Sequence, residues 1–173
     1  MRIAFTGPES SGKTTFSKWL KTQLHDSVLH LEFARTYLEQ RGITEVSEEQ
    51  FREIVEGQSS IIAKPTHCLH EIFDTDLFVL KIWNEEVFKL KLAELEIRPS
   101  YKMDIHFLCA PDVEWENDPL RSAPDKLERI RLFEKYKTEL IQSQSHFLIL
   151  SGKMEEKKSL ILSSIQSFLS KCN

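Results

Sequence analysis

The chain has 173 residues, 40% of them hydrophobic and including 11 Phe and 3 Trp, which suits one domain with a real core and excludes a disordered or low-complexity protein. Its 23 Lys and Arg stand against 27 Asp and Glu, a formal net charge of −4, so no strongly basic face is expected and nucleic acid is not an expected partner. Cys68, Cys109 and Cys172 are odd in number and widely spaced, which argues against a disulfide framework. The longest apolar runs are far too short to cross a bilayer, and only Met1 and Arg2 precede the first strand-like residues. A cytoplasmic protein with no membrane partner is the expectation.

In chain order, strand-like and helix-like segments alternate. Arg2–Thr6 is a short β run, followed at once by a glycine-bearing loop and a helical stretch from Lys13 to Leu24. Ser27–Leu31 reads as a second strand and leads into a helix over Phe33–Gln40, which Gly42 ends. Ser47-Glu48-Glu49-Gln50 has the spacing of a capping box. Beyond it, Phe51, Ile54, Val55, Ile61 and Ile62 share one helical stripe as far as Pro65. Glu71–Thr75 is a third strand, Leu77–Leu95 a long helix, and Asp104–Cys109 a fourth strand. Ala110–Pro124 holds three of the chain's six prolines and no helical period, which makes it a loop. Asp125–Ser143 is helical and strongly charged, and a strand over His146–Leu150 with a helix over Glu155–Lys171 completes the order. Five short strands separated by helices predict an α/β domain whose mainly parallel sheet carries helices on both faces. No repeat or linker marks a second domain, so residues 1–173 are expected to form one.

The stretch Gly7-Pro8-Glu9-Ser10-Ser11-Gly12-Lys13-Thr14 fits G-x-x-x-x-G-K-[ST] in full. Nucleotide phosphates carry several negative charges, and a ring of backbone N–H groups at a helix N-terminus holds them well. Glycines let that backbone curl tightly and approach the oxygens closely. Lys13 then spans the β- and γ-phosphates and the Thr14 hydroxyl ligates Mg²⁺. The loop follows a β run and opens a helix, as this chemistry demands, so ATP and Mg²⁺ are the expected cofactors.

Phosphoryl transfer also needs a carboxylate near the metal. Ile72-Phe73-Asp74-Thr75-Asp76 supplies two at the C-terminal end of a strand, where open α/β sheets bind ligands. Spacing suits Asp76 as the cap of the following helix and Asp74 as the metal ligand. Glu32 ends the second strand; it faces the phosphate acceptor as a base, or favours the dipole of the helix it opens. Either Glu32 or Asp74 is the base. Arg35 clamps phosphate or pairs with a surface acid. The loop from Ala110 to Arg121 and the helix beyond it, with Arg129 and Arg131, have the makings of a lid over about 111–131 that brings guanidinium groups onto the transferring phosphoryl. Arg121 suits that role; Arg131 suits a solvated face. His67, Cys68 and His70 match no zinc spacing.

Taken together, Gly7–Thr15 (GPESSGKTT), Glu32–Arg35 (EFAR), Asp74–Asp76 (DTD) with Trp83 downstream, and Leu108–Arg121 (LCAPDVEWENDPLR) resemble the P-loop kinase family typified by the ribosylnicotinamide kinase domain of bifunctional NAD-salvage (NadR-type) proteins. The resemblance implies a P-loop NTPase fold with a short lid. It also implies transfer of a phosphoryl group from ATP to the 5′-hydroxyl of nicotinamide riboside, a small-molecule nucleoside partner. By the same resemblance Gly7, Glu9, Ser10, Ser11, Gly12, Lys13, Thr14 and Thr15, with Arg129, hold the nucleotide. Glu32, Arg35, Asp76, Trp83, Trp115 and Asp118 surround the nucleoside, where aromatic stacking suits a cationic pyridinium ring. The pattern departs at Pro119, where the family has Gly. Other readings are a kinase for another nucleoside or small metabolite, or an ATP-hydrolysing switch. The guanine-reading Asn-Lys-x-Asp segment of GTPase switches has no counterpart at Cys109-Ala110-Pro111-Asp112, and an AAA-type machine needs a further helical domain for which no residues are left.

Overall fold

The computed structural model describes residues 1–64, 66–92, 95, 101–113 and 125–172, and its strands form one sheet, every neighbouring pair parallel. The strands are β1 (Arg2–Thr6), β2 (Ser27–His30), β3 (His70–Phe73), β4 (Ile105–Cys109) and β5 (Phe147–Leu150), in the order β2-β3-β1-β4-β5. The expected five-stranded α/β fold with helices on both faces is therefore what forms. Parallel strands need crossovers, and the helices supply them: α1 (Lys13–Gln23), α2 (Phe33–Arg41), α3 (Glu48–Ala63), α4 (Leu77–Trp83), α5 (Lys126–Gln142) and α6 (Met154–Cys172). Among the described residues, no helix is long and apolar enough to cross a membrane.

Side chains alternate across the central strand. Ile3 and Phe5 of β1 point into one core with Phe16 and Leu20 of α1 and Ile161 and Ile165 of α6. Ala4 faces the opposite core, built on Tyr37, Phe51, Ile54 and Leu80. A third cluster, Phe78, Ile82, Leu108, Tyr136 and Leu140, joins α4 and α5 over β4. All five residues of β4 are buried, as a strand covered on both faces requires. Every crossover runs back to the same sheet end, so the loops after β1, β2 and β3 meet beyond its C-terminal edge.

Local signals hold at α3 and α2. Ser47 caps α3 through the Gln50 N–H (3.2 Å) while Gln50 Oε1 accepts the Ser47 N–H (2.9 Å). Gly42 ends α2 in the left-handed region at φ 62°. The long helix expected over Leu77–Leu95 is a correction: α4 ends at Trp83 and gives way to a π-helical turn over Asn84–Phe88. The cause is Asn84, whose amide donates to the Leu90 carbonyl (2.9 Å) and accepts the Leu90 N–H (3.1 Å), with Lys89 turned to φ 57°. A side chain that satisfies the next turn's backbone competes with helix continuation.

Candidate active site

The phosphate loop spans the gap between β1 and α1. Gly7 has φ 128°, and a Cβ there would stand 2.7 Å from the Cys109 carbonyl oxygen at the end of β4. Gly12 sits at the N-cap of α1 with φ 88° and no side-chain cap, so the first N–H groups of α1 face outward from the loop. Ser10 is also left-handed, at φ 51°. The Ser11 hydroxyl donates to the Pro8 carbonyl (2.7 Å), and the Lys13 ammonium donates to the carbonyls of Gly7 and Pro8 (2.9 Å each). These bonds fix the ammonium over the mouth of the loop. Backbone donors, a helix N-terminus and one cation fit a polyphosphate.

Beside the loop lies a set of hard oxygens. The Thr14 hydroxyl donates to Asp74 Oδ2 (2.9 Å) and the Ser17 hydroxyl to Asp74 Oδ1 (3.1 Å). Asp74 is only 3% exposed, and its N–H donates to the His30 carbonyl (2.9 Å), which pins the end of β3 to β2. A hydroxyl bonded to a buried carboxylate at the rim of a phosphate cradle is the donor set that suits Mg²⁺, and Thr14 and Asp74 would be its protein ligands.

Glu32 stands across from them. It is the N-cap residue of α2 yet makes no side-chain cap. The duty passes to Gln58 of α3, buried to 1% exposure, whose Oε1 accepts the Phe33 N–H (2.9 Å) and whose Nε2 donates to the Thr75 carbonyl (3.5 Å). Close packing makes this possible: a Cβ on Gly57 would lie 2.3 Å from the Phe33 ring. The Glu32 carboxylate is thereby left for the cleft. Burial raises its pKa, Asp74 and Glu9 push the same way, and Lys13 and Arg35 oppose them. Those five charged groups share one environment, and a carboxyl held above its ordinary range there suits proton transfer.

Other expected residues fall differently. Asp76 stands at the cap of α4: Oδ1 accepts the N–H groups of Phe78 (3.0 Å) and Val79 (3.3 Å) and the Thr6 hydroxyl (3.0 Å). Its Oδ2 faces His106 Nε2 at 3.5 Å. It is 2% exposed, and burial pushes its pKa up to about 7, so in this structure it serves as the buried cap of α4. Arg35 forms an i,i+4 pair with Glu39 (3.1 Å). Trp83 is half-buried, edge-on to Phe51 and Phe88. Arg129 is buried and donates to the Val113 carbonyl (3.4 Å). Arg131 bonds Glu86 and Glu128 on the surface, as expected. Arg121, Trp115 and Asp118, with most of the expected lid, lie outside the described residues.

A family model described as an AAA domain matches residues 2–157. The chain belongs to this AAA-domain P-loop family. An AAA-type machine was not expected, for want of a further helical domain; the match spans the α/β core from β1 into α6. No curated protein matches the chain significantly. Among solved structures, this AAA-domain chain is similar to NadR protein in complex with NR (TM-score 0.73, 19% identity, 96% of this chain and 50% of that one). It is likewise similar to NadR in complex with NAD and AMP-PNP (TM-score 0.64, 18% identity, 87% and 44%). A third is deoxyadenosine kinase from M. mycoides with dCMP and dCDP (TM-score 0.67, 16% identity, 96% and 100%). The chain thus spans about half of NadR and all of the deoxyadenosine kinase. Its fold is that of the P-loop nucleoside and nucleotide kinases.

Within this AAA-domain chain, sequence reading passed over several residues that build the site. Ser17 was the most accessible to it: a serine between Phe16 and Leu20 on the buried stripe of α1, three residues after Thr14. Gln58 on the buried stripe of α3 gave the same kind of hint. Thr6 and His106 carried none, because each meets Asp76 only through tertiary packing.

Proposed function

We propose that this chain is an ATP-dependent kinase of the cytoplasm that phosphorylates the 5′-hydroxyl of nicotinamide riboside, a step of NAD salvage. The observation that carries the reading is the placement of Glu32 beside Lys13 and Asp74, its carboxyl raised and spared from capping, at the mouth of the phosphate loop. Hydrolysis also uses a group that orients the attacking water, so the choice against an NTP-hydrolysing switch rests on the likeness to nucleoside kinases. NadR, seen with NR, supports this choice of nucleoside, as do the EFAR and DTD segments.

When bound, ATP supplies the γ-phosphoryl group and Mg²⁺ offsets the charge on it. The chain's own part divides as follows. The N–H groups of the loop from Gly7 to Thr15, with Lys13, bind polyphosphate oxygens. Thr14 and Asp74 would hold the metal. Glu32 accepts the proton of the acceptor hydroxyl, which leaves Asp74 to the metal side with Thr14. Arg121 and Arg129, from a lid over about 111–131, close on the phosphates, and Arg35, Trp83, Trp115 and Asp118 line the nucleoside pocket.

A second reading is phosphorylation of another nucleoside, favoured by the match to deoxyadenosine kinase over that protein's whole length. The test is direct. The purified protein with ATP and Mg²⁺ is offered nicotinamide riboside or deoxyadenosine, and monophosphates are followed by mass. A riboside monophosphate, with ATP use rising on its addition, is expected. Product from deoxyadenosine alone moves the substrate to the second reading, and equal ATP use with and without any nucleoside defeats both.

A further inference from the structure

The turn after β5 is fastened from two sides. Asp112, three residues beyond β4, accepts the Gly152 N–H at Oδ2 (2.8 Å) and the Lys157 ammonium at Oδ1. The Lys157 side chain, near the start of α6, is only 2% exposed, and its ammonium stands 5.9 Å over the Phe16 ring of α1. That ring packs under the phosphate loop, 3.2 Å from where a Cβ on Gly12 would stand. The Lys153 N–H donates to Glu156 Oε2 (2.9 Å), so two successive N–H groups of the turn are held. Gly152 has φ 93°, and a Cβ there would come within 2.7 Å of the same Glu156 oxygen. Ser151, Gly152 and Lys153 are exposed all the same. The turn is fixed in place yet bare at its centre.

The order of the sheet decides what meets this turn. β1 lies between β3 and β4, with β2 beyond the one and β5 beyond the other. Glu32 and Asp74, which follow β2 and β3, therefore stand to one side of the phosphate loop. Asp112 and the turn at Gly152 stand to the other, where Gly7 abuts the Cys109 carbonyl at the end of β4. A triphosphate whose terminal phosphoryl group faces Glu32 and Asp74 has its nucleoside end directed over β4 and β5. Burying an ammonium is costly even when it is paired, and apolar packing often serves stability as well, so the Asp112–Lys157 pair is better explained by the geometry it imposes. Resting on the kinase reading, with ATP as donor, we infer that Asp112, backed by Lys157, is a positioning residue for the phosphate donor. It holds the turn at Gly152 against which the nucleoside end of ATP rests.

The experiment is calorimetry on the full chain with two ligands in the presence of Mg²⁺: ATP, and inorganic tripolyphosphate, which has the phosphates but no nucleoside. Asp112→Ala combined with Lys157→Met removes the pair without leaving a buried charge unpaired, and circular dichroism should match wild type. Its affinity for ATP should fall about tenfold, while its affinity for tripolyphosphate stays within about twofold. Asp112→Asn combined with Lys157→Met restores an acceptor for the Gly152 N–H, and should recover ATP binding to within about threefold of wild type. In turnover the first double variant should raise the KM for ATP and leave the acceptor KM in place. An ATP affinity near wild type in that variant, an equal loss of both ligands, or no recovery with Asn overturns the inference alone. A wild-type protein that takes up neither ligand removes the kinase reading and the inference with it.

Discussion

The two walls of the cleft are built in different ways. The phosphate wall is a continuous run, Gly7 to Ser17, whose groups bond one another or Asp74 at 2.7–3.1 Å. The opposite wall takes Glu32 from the end of β2 and Gln58 from α3, residues 26 positions apart in sequence. The first wall is settled largely by local chain geometry; the second exists only once α2 and α3 have packed. General triphosphate chemistry can therefore be written into a short motif, whereas the choice of acceptor depends on the whole domain.

The largest effect should come from the phosphate wall. Lys13→Ala removes the ammonium fixed over the loop, and phosphate transfer should fall about 10²–10³-fold, with circular dichroism unchanged because Lys13 bonds only carbonyls of its own loop. Transfer within tenfold of wild type would mean that the loop is not a phosphate cradle. Next comes the acceptor wall. Glu32→Gln should lower kcat about 10²-fold and leave the KM for ATP nearly unchanged. Because Glu32 works as an ionised base and its pKa is raised, the wild-type rate should climb with pH through a midpoint above the ordinary carboxylate range. That limb should vanish in Glu32→Gln; an unaltered limb assigns the base elsewhere.

How much of this was legible in the sequence follows the same division. Alternating strands and helices, the capping box at Ser47 and the loop from Gly7 are local patterns, and each stands where the sequence puts it. The pairing of Thr14 with Asp74 was readable from chemistry, as both belong to one expected metal site. Spacing separated Asp76, as the cap of α4, from Asp74, and the cap forms; the approach of His106 to Asp76 Oδ2 is what the sequence did not register. The helix over Leu77–Leu95 failed for a related reason. Its hydrophobic period continues past Trp83, but the Asn84 side chain captures Leu90 and ends it, which periodicity does not register. Glu32 was legible as a candidate, while its freedom from capping depends on Gln58, 26 residues away.

The smallest effect concerns the frame of the acceptor wall. Arg131 and Lys135 of α5 bond Glu86 in the π-helical turn after α4, and these partners pull the Glu86 pKa down to about 2. A carboxyl depressed on folding stabilises the native state above its unfolded value near 4.5, and that contribution is lost as pH falls from there through about 2. Since the Arg131 side chain is 49% exposed, solvent screening leaves about 1 kcal/mol or less. Glu86→Gln should thus lower thermal stability slightly at pH 7, and the gap to wild type should narrow below pH 4.5 and close only near pH 2. Acceptor KM should stay put, because this clamp lies on the surface while Glu32 is placed by β2 and by Gln58 of α3. A tenfold rise in acceptor KM from Glu86→Gln would show instead that the acceptor wall is held from outside, through the join of α4 and α5.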